Sequence, residues 1–219
     1  MSVVRTRNLR LRREARGFAI GSLLFMLGSV PAYALAVGPV VDALTFFVGS
    51  VFFTLAAAVQ LALSGRPLLR RGSNRPDVED WLSAAIQFAG TILFNVSTLV
   101  VLITAMTSST RGEDGWRPDA FGSVAFLASS LLAVAATTQR DRLWDPHART
   151  WRCTWLNMAG SVLFAASAVG AYVAPSTGTM VSLFWANAGT FTGALCFFTA
   201  ALLSRRIAAS EAEEAAHRC

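Results

Sequence analysis

Apolar residues in this chain gather into six long runs separated by short polar stretches. The runs cover about 17–37, 40–63, 82–105, 120–138, 154–174 and 181–203. Each is long enough to cross a hydrocarbon core of about 30 Å, which takes roughly 20 helical residues. None carries a charge except Asp42, at the edge of the second run. Lipid offers no partner for an unpaired backbone N–H or C=O, so a crossing segment is either a helix or part of a closed barrel. A barrel needs strands of about ten residues with alternating hydrophobicity, whereas these runs are continuously apolar. The pattern predicts an all-α, polytopic membrane bundle of six transmembrane helices over 17–204, between an Arg-rich tail (1–16) and a second tail (205–219).

Composition agrees. Hydrophobic residues make up 54% of the 219 and charged residues only 15%, against roughly 25% charged in soluble domains. Mean hydropathy is +0.50. Disorder is excluded and a soluble globular domain is disfavoured. The net charge is +6, and every one of the nineteen basic residues is arginine. A basic balance can mark a nucleic-acid partner, but here the arginines flank apolar runs, so they report orientation in a bilayer and no nucleic-acid partner is expected. Arginine also binds phosphate bidentately, which would suit lipid headgroups; a genome biased toward Arg, Ala and Gly codons explains the absence of lysine more simply.

The distribution of arginine sets the topology. Six lie in the N-terminal tail, four in the second loop, four in the fourth and three in the C-terminal tail, while the other three loops share only Arg111 and Arg117. Seventeen of nineteen therefore fall on one side. The positive-inside rule makes that side the cytoplasm and puts both termini there. Trp81, Trp151, Trp155 and Trp185 stand near the ends of runs, where interfacial anchors belong. The arginine-rich start, the first apolar run and Ala34-Leu35-Ala36 also fit a cleavable signal peptide, although the run exceeds the usual 7–15 residues.

A motif recurs through the runs. Gly21, Gly90 and Gly160 open it in the first, third and fifth, 69 and 70 residues apart; Gly49, Gly122 and Gly193 open it in the others. Four residues after each comes a phenylalanine: Phe25, Phe53, Phe94, Phe126, Phe164 and Phe197. The residue after each glycine is Ser, Thr or Ala, and seven positions on stands another small residue. Spacing i, i+4, i+7 puts glycine, ring and small residue on one helical face. That is a packing motif: the glycine admits a neighbouring helix, and the ring packs beside the contact. The chain then reads as three helical hairpins, about 17–64, 81–138 and 154–204, each starting and ending on the cytoplasmic side. The same threefold pattern could enclose a pathway, as in repeat-built transporters.

Trp155-Leu156-Asn157 with Gly160-Ser161-Val162-Leu163-Phe164, continued by Asn187-Ala188-Gly189-Thr190-Phe191-Thr192-Gly193-Ala194, resembles the YrhK-like family of small bacterial integral membrane proteins. The likeness is strongest over 150–204, weaker over 16–64 and weakest in the middle hairpin, which has a longer outer loop and Asn95 in its motif helix. The resemblance implies a two-helix unit in the bacterial cytoplasmic membrane and brings no established activity with it.

Candidate chemistry is sparse. His147 and His217 lie outside the runs, and no metal, nucleotide or nucleophile motif is present. Asp141, Asp145 and His147 share a loop, but their spacing fits no ligand template. Cys153, Cys196 and Cys219 have no paired spacing. No enzyme activity and no cofactor are expected. The runs do contain amides: Gln60, Gln87, Asn95, Asn157 and Asn187. Asn95, Asn157, Asn187 and Thr192 are candidates either for interhelical hydrogen bonds or for lining a pore for a neutral solute. Pro31 should kink the first helix. Gly17-x-x-x-Gly21 and Gly189-x-x-x-Gly193, the two strict GxxxG pairs, sit at different depths and so should meet different neighbours, at least one of them in an oligomer; Gly170 should lie off the packing face. The expected partners are the lipid bilayer and a second copy or another membrane protein. A structural or interaction-type membrane protein is the first reading, and a channel or facilitator for a small neutral solute the second.

Overall fold

A computed structural model describes residues 2–65, 72, 74–107, 116–140 and 144–217, with side chains between 9 and 205. The chain is all-α apart from one small hairpin. The helices are α1 (Ser2–Gly28), α2 (Pro31–Val37), α3 (Pro39–Leu63), α4 (Arg75–Thr107), α5 (Trp116–Arg140), α6 (Arg149–Gly170) and α7 (Leu183–His217). Helices α3 to α7 each contain a stretch long and apolar enough to cross a membrane. The bent pair Leu9–Gly28 and Pro31–Val37, taken as one span, supplies a sixth.

The first run is broken, not merely kinked. Helix α1 starts at Ser2, well before the expected boundary, and stops at Gly28; α2 leaves it at 80°. Proline explains the stop. Pro31 has no N–H to continue the ladder, and it drives the preceding residue out of the α region. Val30 is accordingly extended (φ −87°, ψ 114°). At its other end α2 runs into Gly38, whose φ of +81° suits glycine, and Pro39 starts α3. The Tyr33 hydroxyl, 2.7 Å from Thr45 Oγ1, ties α2 to α3. Leu35 is 86% exposed.

The fifth run also ends early. Helix α6 stops at Gly170, four residues short of the expected limit, where the Ala171 N–H donates to the Ser167 carbonyl. Strands β1 (Val173–Ala174) and β2 (Thr179–Met180) then pair antiparallel, Val173 opposite Met180, and lead into α7.

The six long helices form a closed ring in chain order. Each packs on the next, α2 aside, and α7 packs back on α1. Contacts across the seams run in opposite directions along the chain, so neighbours are antiparallel. Gly17 faces Ala56 while Gly28 faces Phe46, and Glu79 meets Gln139 while Ser83 meets Ser129. Both chain termini therefore lie at one end, here the terminal end, and α2 and the β-hairpin lie at the far end.

The ring is filled at mid-height by Phe25, Phe53, Phe94, Phe126, Phe164 and Phe197, none more than 7% exposed. Within the pairs α1–α3, α4–α5 and α6–α7 the ring centroids lie 5.3, 5.0 and 5.2 Å apart. Between pairs they lie 5.6–6.5 Å apart, as in Phe126–Phe197 and Phe53–Phe126. All are edge or tilted geometries except the stacked Phe25–Phe164 pair, and such pairs are each worth about 0.5–1.5 kcal/mol beyond the buried area.

Each ring sits where its partner helix has no side chain. A Cβ on Gly21 would come within 2.8 Å of the Phe53 ring, and one on Gly49 within 2.8 Å of the Phe25 ring. Gly90 with Phe126 and Gly122 with Phe94 repeat the exchange at 2.9 Å. Gly160 with Phe197 and Gly193 with Phe164 repeat it at 2.8 and 2.6 Å. Two expectations need correction here. Gly170 is not off the contact face: its Cβ would fall 2.6 Å from the Ala186 nitrogen, because the end of α6 and the start of α7 converge at the β-hairpin. Both GxxxG pairs face inward, Gly17 and Gly21 on α3, Gly189 and Gly193 on α6, so neither offers its glycines to an oligomer. They do meet different neighbours, as their depths required.

Gly160→Leu, Gly170→Leu and Phe164→Ala should each lower the thermal unfolding midpoint in detergent, the truncation by an amount equivalent to about 3–5 kcal/mol. Val162→Leu, at a position 51% exposed, should leave the midpoint unchanged. A Gly160→Leu protein as stable as the parent would mean that close crossing does not hold the pair together.

Candidate functional site

Several polar side chains join one helix to the next. The residue following each motif glycine is fully or nearly buried: Ser22, Ser50, Thr91, Ser161 and Ala194 are 0% exposed and Ser123 2%. Ser50 lies 2.9 Å from Thr98 across α3–α4, and Ser161 lies 2.8 Å from Ser130 across α5–α6. Ser123 donates to the Phe164 carbonyl of α6 at 3.4 Å. A hydroxyl held in this way keeps a polar atom off lipid and adds directionality that apolar packing lacks.

The four candidate polar residues do not converge. Asn95 donates through Nδ2 to Thr54 Oγ1 at 2.8 Å, across α3–α4, while its Oδ1 is buried without a partner. The side chain of Asn157 has no hydrogen bond among the described residues; its backbone carbonyl accepts Ser161 Oγ at 2.9 Å. Thr192 is exposed and turns its hydroxyl back to the Ala188 carbonyl, 2.6 Å away. Asn187 and Thr192 do share a cleft, of about 480 Å³, between the α1–α2 break and the start of α7. Asn95 and Asn157 do not line it. Of the remaining amides, Gln87 accepts Ser129 Oγ at 3.3 Å, and Gln60 Oε1 is buried unpartnered.

One polar cluster at the terminal end was missed by sequence reasoning. Arg140, closing α5, bonds Asp80 and lies 2.7 Å from Asp77 on α4. Glu79 takes Arg75 Nε at 2.8 Å and Gln139 Nε2 at 2.7 Å. The signal was available: an acidic start (Asp77, Glu79, Asp80) in one helix and Gln139-Arg140 in the last turn of its hairpin partner are complementary once the two are antiparallel. The exposed ion pairs contribute little; the half of the cluster at Glu79, 8% exposed, is the part shielded from water.

Tryptophans collect at both ends. Trp144, Trp151 and Trp155 form a run of ring contacts at 5.1 and 5.9 Å at the terminal end. At the far end Trp116 Nε1 donates to the Ala168 carbonyl at 2.7 Å, and the Trp116 ring packs, tilted, 4.7 Å from that of Tyr172. Asp145 caps its own turn by accepting from the Ala148 N–H at 3.2 Å. Arg66, Arg70, Arg71, Arg111, Asp141, Arg142, Arg218 and Cys219 lie outside the described residues. The described Cys153 and Cys196 are unpaired. Compared with known protein families, characterised proteins and solved structures, the chain matches none.

The contact between Asn95 and Thr54 can be measured. A double-mutant cycle with Asn95→Ala and Thr54→Ala should give a coupling of about 0.6 kcal/mol, and at most about 1.7. No coupling would mean that Asn95 does not join α3 to α4.

Proposed function

We propose that this multi-pass membrane protein is a structural or interaction-type protein of the bacterial cytoplasmic membrane, built from three two-helix units of the YrhK-like kind. The carrying observation is the plug of six phenylalanine rings across the middle of the helix ring, none more than 7% exposed. A bundle closed at mid-height works through its outer faces, toward lipid, a second copy or another membrane protein. The polar groups favour the same reading. Asn95 is engaged by Thr54, and Thr192 by its own helix, so neither offers a continuous polar path to a neutral solute. The reciprocal glycine–phenylalanine exchange in all three pairs supports the threefold unit. The reading includes no catalysis and no cofactor.

Orientation follows from charge. At the terminal end stand Arg10, Arg12, Arg13, Arg16, Arg75, Arg140, Arg149, Arg152 and Arg205; at the far end, among the described residues, stands Arg117. The positive-inside rule then gives a cytoplasmic terminal end.

Two measurements test these statements. Proteoliposomes should take up glycerol and urea no faster than protein-free vesicles; faster uptake would favour the facilitator reading and overturn a closed bundle. A reporter fused after residue 219 should be active only in the cytoplasm, and one inserted near Gly112 only outside; the reverse would invert the orientation.

A further inference from the structure

The three seams between helix pairs are not equivalent. The α3–α4 seam carries Asn95–Thr54 and Ser50–Thr98. The α5–α6 seam carries Ser130–Ser161, Thr137–Thr154 and the Trp116 bond to the Ala168 carbonyl. The α1–α7 seam has no hydrogen bond among the described residues. On α1 the post-glycine hydroxyl, Ser22, is 0% exposed and has no partner among the described residues. At the corresponding place on α7 stands Ala194, which has none to give.

The cleft of about 480 Å³ lies at the far end of this unlatched seam. Its origin is the break in the first run. Helix α1 stops at Gly28 and α2 swings off by 80°, so the opening turns of α7 lose the neighbour that would have covered them. Residues 29–31 form one wall, and Phe184, Asn187, Ala188 and Thr192 lie on the other. The Ser29 and Thr192 hydroxyls are satisfied by carbonyls of their own helices, at 2.8 and 2.6 Å. The Asn187 amide has no hydrogen bond among the described residues. This half-buried amide, unpaired beside apolar walls, is open to a partner from outside the chain.

Depth identifies that partner. Asn187 is four residues into α7, roughly 6 Å along the axis from Leu183. Above it Phe184 and Trp185 are 69% and 52% exposed, as residues of an interfacial belt are. A group just beneath such a belt meets the zone between headgroups and hydrocarbon, where the ester carbonyls of a phospholipid lie. Below it the walls are apolar. The space holds about one turn of a helix, roughly 10 Å across and 5.4 Å tall, and no more. It lies within the 300–1,000 Å³ of ordinary small-ligand sites.

We propose that the far end of the α1–α7 seam is a binding site for one acyl chain of a phospholipid, the chain lying in the cleft and its ester carbonyl accepting a hydrogen bond from Asn187 Nδ2. This goes beyond the closed-core reading and is independent of it, since a conducting bundle could carry the same site.

The test uses the full chain in palmitoyl-oleoyl phosphatidylcholine vesicles containing a trace of the same lipid with a diazirine on one acyl chain. After illumination, labelled peptides are mapped by mass spectrometry. Labelling of residues 29–31 and 183–192 should exceed that of the lipid-facing surface of α5 around Val124 and Leu131 by about tenfold, equivalent to ~1.4 kcal/mol of preference. Ala188→Phe, which fills the cleft, should abolish the excess while the thermal midpoint stays at that of the parent. Asn187→Leu keeps the walls apolar and removes only the amide. The parent should label less with the ether-linked analogue, which lacks the carbonyl, and Asn187→Leu should label equally with both. Even labelling over all lipid-facing surfaces would overturn the site. So would an excess that survives Ala188→Phe, or an ester-to-ether preference that survives Asn187→Leu. A purified parent with twice the mass of one chain, reduced to one chain by Ala188→Phe, would assign the cleft to a second copy and equally overturn the proposal.

Discussion

In lipid, a helix gains nothing by hiding apolar surface from its surroundings, because the surroundings are equally apolar. What remains is close van der Waals fit, and in this bundle it is obtained by a single device used six times. A glycine removes one side chain so that a neighbour's phenyl ring can occupy the vacancy, and the favour is returned four residues along. Exchange of this kind demands an antiparallel partner at fixed register, since a shift of even one residue would place a Cβ against a ring. It also turns every ring toward the axis. The filled centre, the pairing of helices and their relative heights all follow from that one fit.

Much of this was legible in the chain. The six apolar runs, the shared face of glycine and phenylalanine and the different depths of the two GxxxG pairs follow from hydropathy and helical periodicity, which a sequence displays directly. What was not legible is where a helix stops for reasons of local backbone chemistry. Hydropathy continues smoothly through Val30 and Pro31, so a kink was expected within one span; the missing N–H of proline, and its effect on the residue before it, ended the helix instead and turned α2 off by 80°. Gly170 was misjudged for a different reason. Its contact is made by the convergence of two helix ends at a small β-hairpin, and no periodicity within α6 reports the direction from which α7 arrives. The cluster around Glu79 and Arg140 shows the intermediate case, since its charges are plain in the sequence but become complementary only when two helices are set side by side.

The hydroxyls at the position after the glycine show how the same small residue can serve two ends. Seen along the chain they are merely compact. In the bundle they stand on the flank of the motif face, where one pair of helices meets the next, and two of the three such junctions are bonded through them. The replacement by alanine in α7 is thus a local change with a directional effect, leaving one junction to packing alone.

That the ring closes between its first and last helices has a consequence for how it is made. Every other junction joins segments adjacent in the chain and can form as soon as both have been synthesised; this one must wait for α7. Until then the nascent protein is an open arc, with Phe25 and the inner face of α1 turned toward lipid and the Phe197 ring absent from the centre. The entropy of bringing such distant segments together is the largest in the fold. The closing contact thus spans the longest stretch of chain in the fold, and among the described residues packing holds it without a hydrogen bond between α1 and α7.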